Sequence, residues 1–386
     1  MNSVNSDGSV RVLVLAQDYP NNEGGVSLMY IHSRNVYYRK QGIDVTVLNF
    51  STEKNYEYDG ITVISPSEYK RDKKVYDVLI AHAPNIKNHF RFINKYQQNF
   101  RRIFFYFHGH EILKISDNYP TPYPYMGDFN FFKKKIRDIY DIIKLKIIRN
   151  YFVNSANDIT LIFVSDWMKN KFEENISLST TRFNTYVIPN CVGEIFEAKK
   201  YEVKKSKKIY DFITIRSNID GSKYCVDLVC DLARNNEQMQ FLLIGKGEYF
   251  NHYELPSNID FKNTTLKHED IPFYLNQAKC ALMPTRLDSQ GVMVCEMATY
   301  GIPVITSNIE VGNEIASNLD NIFLIDNNDI DCDLETVLDD IQNHLGLLSN
   351  DKCRSAYTRQ YTVDKEVQLI KKTEENDSGW HHSGKL

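Results

Sequence analysis

Long apolar runs are missing from this chain. No stretch reaches the roughly 18–20 residues that a membrane-spanning helix needs, so a helical membrane span is not expected. A leader segment, basic and then apolar, is also missing from the opening MNSVNSDGSVRVLVLAQ, and a cytoplasmic location is expected. Cysteine pairs are lacking. The seven cysteines stand at 191, 225, 230, 280, 295, 332 and 353, an odd number with no Cys-x-x-Cys, which favours buried thiols over a disulfide or zinc framework. An excess of positive charge is absent too: 46 Lys and Arg face 50 Asp and Glu, a net charge of −4, so nucleic acid is not the default partner. Gly-x-Gly-x-x-Gly is not found, so a dinucleotide fingerprint is excluded.

What is present is an ordinary globular composition, 42% hydrophobic and 25% charged. A length of 386 residues allows two or three domains at about 150 residues each. Val10–Ala16 and Asp44–Phe50 are β-branched apolar runs suited to buried parallel strands. Between them lie a loop with Gly24 and Gly25 and a helical pattern from Leu28 to Gln41. Paired glycines let backbone amides approach a ligand, and they also make a plain tight turn. Further strands are expected at Ile61–Ile64, Val78–Ala81, Ile103–Phe107, Leu161–Ser165 and Tyr186–Pro189. The run at Ile103–Phe107 ends in His108-Gly109-His110-Glu111. A histidine at the carboxyl edge of a sheet is placed for a site, and a solvated or neighbour-satisfied ring is the competing reading. Two histidines two apart without a third ligand make a poor metal site.

Asn118–Phe132 is rich in Pro, Tyr and Phe and reads as an irregular loop. Residues 133–152 (KKKIRDIYDIIKLKIIRNYF) have helical apolar spacing, with seven basic residues against two Asp. Such a helix rests on an anionic membrane surface or packs as an ordinary core helix with a solvated face. The charged stretch Glu194–Lys208 suits a linker.

A second series of alternating strands and helices opens at Phe212–Ile215, followed by Arg216 and a helix from Lys223 to about Arg234. Phe241–Gly247 is a strand with a Gly-x-Gly turn containing Gly245. Residues 281–314 carry the densest pattern. The strand Cys280–Pro284 leads into a loop with Asp288, Ser289, Gln290 and Gly291. A helix Val292–Tyr300 is stopped by Gly301, and a strand follows at Val304–Thr306. Free amides at that helix start, at Val292 and Met293, would face an anion, with Asp288 and Glu296 to either side. The run Asp329, Asp331, Asp333 sits where a helix cap is expected.

The 281–314 segment resembles the family-4 retaining glycosyltransferases of the GT-B fold. Asp288, Gly291, Glu296, Gly301, Pro303 and Val304 fall on the family's acid-x7-acid motif and its Gly-x-Pro-Val continuation. Asp288 departs from the usual glutamate, and its shorter side chain either draws the sugar nearer or weakens that contact. The resemblance implies an α/β fold of two Rossmann-like, doubly wound parallel-sheet domains facing a cleft. It divides the chain into an acceptor-side domain at 1–195, a sugar-nucleotide domain at 196–355, and a terminal helix and tail at 356–386 that return to the first domain. By the same resemblance, His108 and Asp288 act on the reacting sugar. Gly24, Gly25, Arg216, Lys223, Gly245, Gly291, Val292, Met293 and Glu296 bind the donor.

The implied activity is metal-independent, retaining transfer of a hexosyl or N-acetylhexosaminyl group. The UDP- or GDP-linked sugar is a substrate, and no cofactor is called for. The acceptor would be a glycan or a lipid-linked molecule in bacterial surface-polysaccharide synthesis, with peripheral membrane contact through 133–152 and no nucleic acid. Asn190-Cys191-Val192-Gly193 resembles the family's segment between the lobes, with Cys191 in place of a glycine. A glycoside hydrolase, an epimerase on the same fold, and an inactive GT-B protein that stabilises a partner transferase are the alternative readings.

Overall fold

The computed structural model describes residues 9–22, 28–72, 74–127, 131–202, 208–345 and 354–372. Gly24 and Gly25 lie outside the described residues.

The first lobe is built on eight strands: β1 (Arg11–Ala16), β2 (Asp44–Asn49), β3 (Tyr56–Tyr58), β4 (Ile61–Ile64), β5 (Val78–His82), β6 (Arg102–Phe107), β7 (Asp158–Phe163) and β8 (Asn184–Val187). Their spatial order is β3-β4-β2-β1-β5-β6-β7-β8, and every pairing is parallel except β3 with β4. The central runs RVLVLA, VLIAH and RIFFYF are buried on both faces, as unbroken apolar strands must be in a parallel sheet covered by helices. Three helices of this lobe matter for the site. They are α1 (Met29–Lys40), α2 (Phe131–Asn154) and α3 (Asp166–Ile176).

The second lobe is a six-stranded, wholly parallel sheet. Its strands are β9 (Tyr210–Asn218), β10 (Phe241–Lys246), β11 (Ile259–Lys262), β12 (Ala278–Met283), β13 (Val304–Ser307) and β14 (Ile322–Ile325), in the order β11-β10-β9-β12-β13-β14. Between the lobes a short helix α4 (Glu194–Ala198) belongs by packing to the second, because Phe196 meets Tyr300 edge-on. The second lobe then contributes α5 (Val226–Asn235), α6 (Val292–Tyr300) and α7 (Leu334–Leu345). Asp333 caps α7 by accepting from the amides of Glu335 and Thr336.

The last helix, α8 (Arg359–Lys371), crosses back, and its Val363, Val367 and Ile370 enter the core of the first lobe. Arg34 of α1 and Glu366 of α8 form a fully buried ion pair there at 3.1 Å, and the Tyr38 hydroxyl donates to the same carboxylate. Burial pushes the Glu366 carboxyl up, and Arg34 opposes that shift.

In each sheet the strand order reverses beside the first strand of the lobe, between β1 and β5 and between β9 and β12. Ligands of open α/β sheets bind outside the carboxyl ends of the strands at such reversals. The six described cysteines are unpaired thiols. Cys191, which stands where the resembled family has glycine, is buried and is not among the residues with positive φ, so no glycine is required there.

Candidate active site between the lobes

On the first lobe, β5 and β6 lie side by side; β5 ends in His82, and His108 follows the end of β6. His82 Nδ1 and His108 Nε2 are 3.1 Å apart. One ring must donate and the other accept, so the two cannot both be charged. Burial, with Arg34 nearby, lowers both imidazoles well below the ordinary histidine range. The His108 ring also packs against Tyr30 at 4.8 Å, and its backbone amide donates to Glu111. His110 is exposed.

The loop after β6 is gripped from outside by α2. Lys144, itself buried, donates to the carbonyls of His110 (3.0 Å) and Leu113 (2.8 Å) and to Asp141 (2.8 Å). Asp141 accepts from the Ile115 amide at 2.8 Å, and Ser116 donates to Asp138.

On the second lobe, Arg216 lies near the end of β9, beside the strand reversal. It is 7% exposed. Its guanidinium donates to the Pro284 carbonyl at 2.6 Å, while its Nε is buried with no partner. Among the described residues it has no ion pair. Burial lowers its pKa, and Asp288 is the main influence raising it. A guanidinium taken out of water and left uncompensated costs several kcal/mol. Arg216 and Lys223 stand against one ring, that of Tyr224, at 5.2 and 4.7 Å from its centre, so two cations share an aromatic support.

Lys223 precedes α5 in a single 3-10 turn rather than starting the expected continuous helix. That turn is tied to the loop after β12, since the Lys223 carbonyl accepts from the Arg286 amide (2.8 Å) and the Thr285 hydroxyl (2.9 Å).

Gly291 takes φ +72°, the left-handed region, which favours glycine. It opens α6 with no side-chain cap on the helix amides. Val292 and Met293 are partly exposed at that start. Asp288 folds back on its own loop and accepts from the amides of Ser289 (2.8 Å) and Gln290 (3.2 Å). Gly245 is buried, and a Cβ there would come within 2.7 Å of the Arg216 carbonyl. Its position lets β10 lie close against the strand that carries Arg216.

Glu296 is 2% exposed. Its carboxylate accepts from the Gly193 amide at 3.0 Å and lies 3.8 Å from His268. Burial raises it to about 7, against the lowering influence of that amide. Among the described residues no group of three His, Cys, Asp or Glu is placed to hold a metal ion.

The two halves of the site meet. A Cβ on Gly109 would stand 3.9 Å from Ser289 Oγ, so the His108 loop faces the Asp288–Gly291 loop. Three contacts absent from the sequence reading fasten the lobes. Gln290 makes three hydrogen bonds to Asn190, two accepted at 2.7 Å and one donated at 2.9 Å. Glu314 accepts from the Asp166 amide that opens α3, at 3.0 Å.

The third fastening is the stretch read as an irregular loop, which proves to be a strap. Tyr123 leaves the first lobe and is buried in the core of the second. Its hydroxyl donates to Asp227 at 2.9 Å, and Asp227 in turn pairs with Arg286 at 2.7 Å. Tyr125 donates to Asp220 at 2.7 Å and stacks on His252 at 4.2 Å. Tyrosines alternating with prolines were the signal in the sequence, since each ring can fill a distant pocket while its hydroxyl finds an acid.

Residues 212–343 match the family model of glycosyl transferases group 1. Over 136 residues the chain is 26% identical to the Escherichia coli UDP-Gal:alpha-D-GlcNAc-diphosphoundecaprenol alpha-1,3-galactosyltransferase. That match spans 34% of this chain and 35% of the relative's length. Sucrose-phosphate synthase from Thermosynechococcus elongatus superposes with a TM-score of 0.68 at 13% identity, covering 93% of this chain and 98% of that one. WaaG, a glycosyltransferase involved in lipopolysaccharide biosynthesis, superposes with a TM-score of 0.60 at 12% identity, covering 94% and 99%. The two parallel-sheet lobes form the GT-B fold. The similarity to glycosyl transferases group 1 lies in the second lobe, and the solved neighbours show the fold.

Proposed function

We propose that this chain is a retaining, metal-independent glycosyltransferase. It moves a hexosyl or N-acetylhexosaminyl group from a UDP- or GDP-linked donor to a glycan or lipid-linked acceptor in cytoplasmic polysaccharide synthesis. The observation that carries this reading is Arg216. A buried guanidinium without a carboxylate partner, at the strand reversal of the second sheet, calls for an anionic ligand to complete it. Lys223 and the uncapped amides of α6 provide further positive potential nearby. The similarity to a galactosyltransferase named for a UDP-sugar and a diphospholipid supports the donor and acceptor classes.

In this reading the diphosphate docks on Arg216, Lys223 and the start of α6. The bond from the anomeric carbon to the phosphate oxygen breaks, and its electron pair leaves with the diphosphate. Those groups stabilise the charge that gathers on it. The acceptor hydroxyl attacks the same face and passes its proton to the departing phosphate oxygen, so the configuration is retained. His108, neutral and fixed by His82, lies against the sugar on the opposite lobe. Asp288 accepts from sugar hydroxyls, and Glu296 from the ribose.

The test is an assay of UDP- and GDP-sugars with extracted glycan and lipid acceptors, with product configuration read by NMR. Transfer that retains configuration and is abolished in Arg216→Ala supports the reading. Inverted product overturns retention, and binding without turnover of any donor favours an inactive partner protein.

A further inference from the structure

Between the His108 loop and the strap the chain passes from one lobe to the other within Tyr119-Pro120-Thr121-Pro122, a reach of about 14 Å at most. Asn118 still belongs to the first lobe, where its side chain donates to the Lys114 carbonyl at 2.8 Å. Tyr123 is already buried in the core of the second. Both ends of this bridge are fixed. At its start the Tyr119 amide donates to the Ile115 carbonyl at 2.9 Å, closing a single helical turn, Ile115–Asn118. The Ile115 amide is held in turn by Asp141 of α2. At its far end the bridge lands beside Lys223: Tyr123 is bound to Asp227, Asp227 pairs with Arg286, and the Arg286 amide donates to the Lys223 carbonyl.

Tyr119 is the one large polar side chain of the bridge, and it is partly buried. Pro120 keeps the residue before it out of the helical region, so Tyr119 is extended, with φ −84° and ψ 137°. Burial raises the phenol above its ordinary value, so it stays protonated at neutral pH. The charges that act on its hydroxyl come from both lobes, Lys223 first, then Glu111 and Asp288. The hydroxyl bonds to neither acid. Asp288 accepts from the amides of its own loop, and Glu111 from the His108 amide. A neutral donor set beside a cation, with its hydrogen not given to an acid, suits an anion held by that cation.

We propose that Tyr119 is a donor-binding residue supplied by the first lobe, its hydroxyl donating to an oxygen of the terminal phosphate in the diphosphate held by Arg216 and Lys223. The diphosphate is then gripped from both lobes, by cations of the second and by a neutral hydroxyl of the first. The anchors at Tyr123 and Tyr125 serve that placement, since they pin the bridge that carries Tyr119 across the cleft. The proposal rests on the glycosyl-transfer reading, because it takes the anion to be a nucleoside diphosphate.

The measurement is calorimetric titration of the wild type, Tyr119→Phe and Thr121→Ala with UDP, GDP, UMP and GMP. Whichever diphosphate the wild type binds, Tyr119→Phe should bind it about tenfold more weakly, the worth of one hydrogen bond to a charged group. Tyr119→Phe should bind the matching monophosphate as the wild type does, because the phosphate that the hydroxyl touches is missing from it. Thr121 is the exposed neighbour on the same bridge, and Thr121→Ala should bind both nucleotides as the wild type does. Tyr119→Phe keeps the ring, so the melting temperature of the free protein should not fall.

The proposal is overturned if Tyr119→Phe binds the diphosphate as tightly as the wild type, or if it weakens diphosphate and monophosphate alike. It is also overturned if Thr121→Ala weakens the diphosphate as much, since the effect would then belong to the bridge and not to the hydroxyl. A wild type that binds neither UDP nor GDP sinks the glycosyl-transfer reading and this proposal with it. A wild type that binds one of them, matched by Tyr119→Phe, sinks this proposal alone.

Discussion

His82 Nδ1 lies 3.1 Å from His108 Nε2 across the ends of two neighbouring strands. Each imidazole is lowered well below 6.5, first by burial, with a contribution from nearby Arg34. Groups whose folded pKa is depressed leave stability intact above the unfolded value and remove it as pH falls. The wild type should therefore lose melting temperature below pH 6.5. His82→Phe should lose less over the same range. It should also slow sugar transfer by on the order of tenfold to a hundredfold, because His108 loses the partner that fixes its ring. Thermal melts from pH 7 down to 5 and turnover at pH 7.5 check both outcomes.

Glu296 runs the other way. Its folded value is raised to about 7 by burial, so its neutral form is favoured and stability is lost as pH rises from the unfolded value through 7. Removing the charge should recover about 3 kcal/mol above pH 7. Glu296→Gln keeps an acceptor for the Gly193 amide. It should therefore melt higher than the wild type at pH 8.5 and alike at pH 4.5. Equal melting at pH 8.5 would show that the carboxylate is not held neutral.

The strap gives a third outcome. Tyr123→Phe keeps the ring in the second lobe and removes the hydroxyl's bonds to the Asp227 carboxylate and amide, at a cost of about 1–2 kcal/mol. Because Asp227 also orients Arg286, which holds the Lys223 carbonyl, the donor KM should rise while the acceptor KM stays. Tyr123→Ala should cost about 3–5 kcal/mol. Urea denaturation and initial rates separate the two effects.

The ion pair under α8 should behave as a unit. Glu366→Ala leaves Arg34 buried and unpaired, and should cost about 3–5 kcal/mol. Arg34→Met combined with Glu366→Leu should cost less than Glu366→Ala alone, since no charge is stranded. Denaturation of the single and double variants checks the order.

Much of the frame was legible because apolar runs and glycine stops are local signals. The segment from β12 through α6 to β13 follows its pattern closely, with Gly291 and Gly301 both at positive φ. Strand ends were less legible: β9 runs on to Asn218, past Arg216, because polar residues at a sheet edge still pair. The contacts between lobes were not legible at all. His82 reads as the end of an apolar strand, and only the adjacency of β5 and β6 brings it to His108. Gln290 and Asn190 are 100 residues apart and nothing local links them. Glu296 shows the limit of position by motif, for its place in the helix was foreseen but its bond to Gly193 and its neighbour His268 were not.

The central claim is that Arg216 waits for the diphosphate of a sugar nucleotide. Calorimetric titration of the wild type and of Arg216→Ala with UDP and with GDP tests it most directly. The account predicts that at least one nucleotide binds the wild type and that Arg216→Ala weakens it by about thirtyfold or more, with no loss of melting temperature in the free protein. Equal affinity in the two proteins, or no binding of either nucleotide to the wild type, would contradict it.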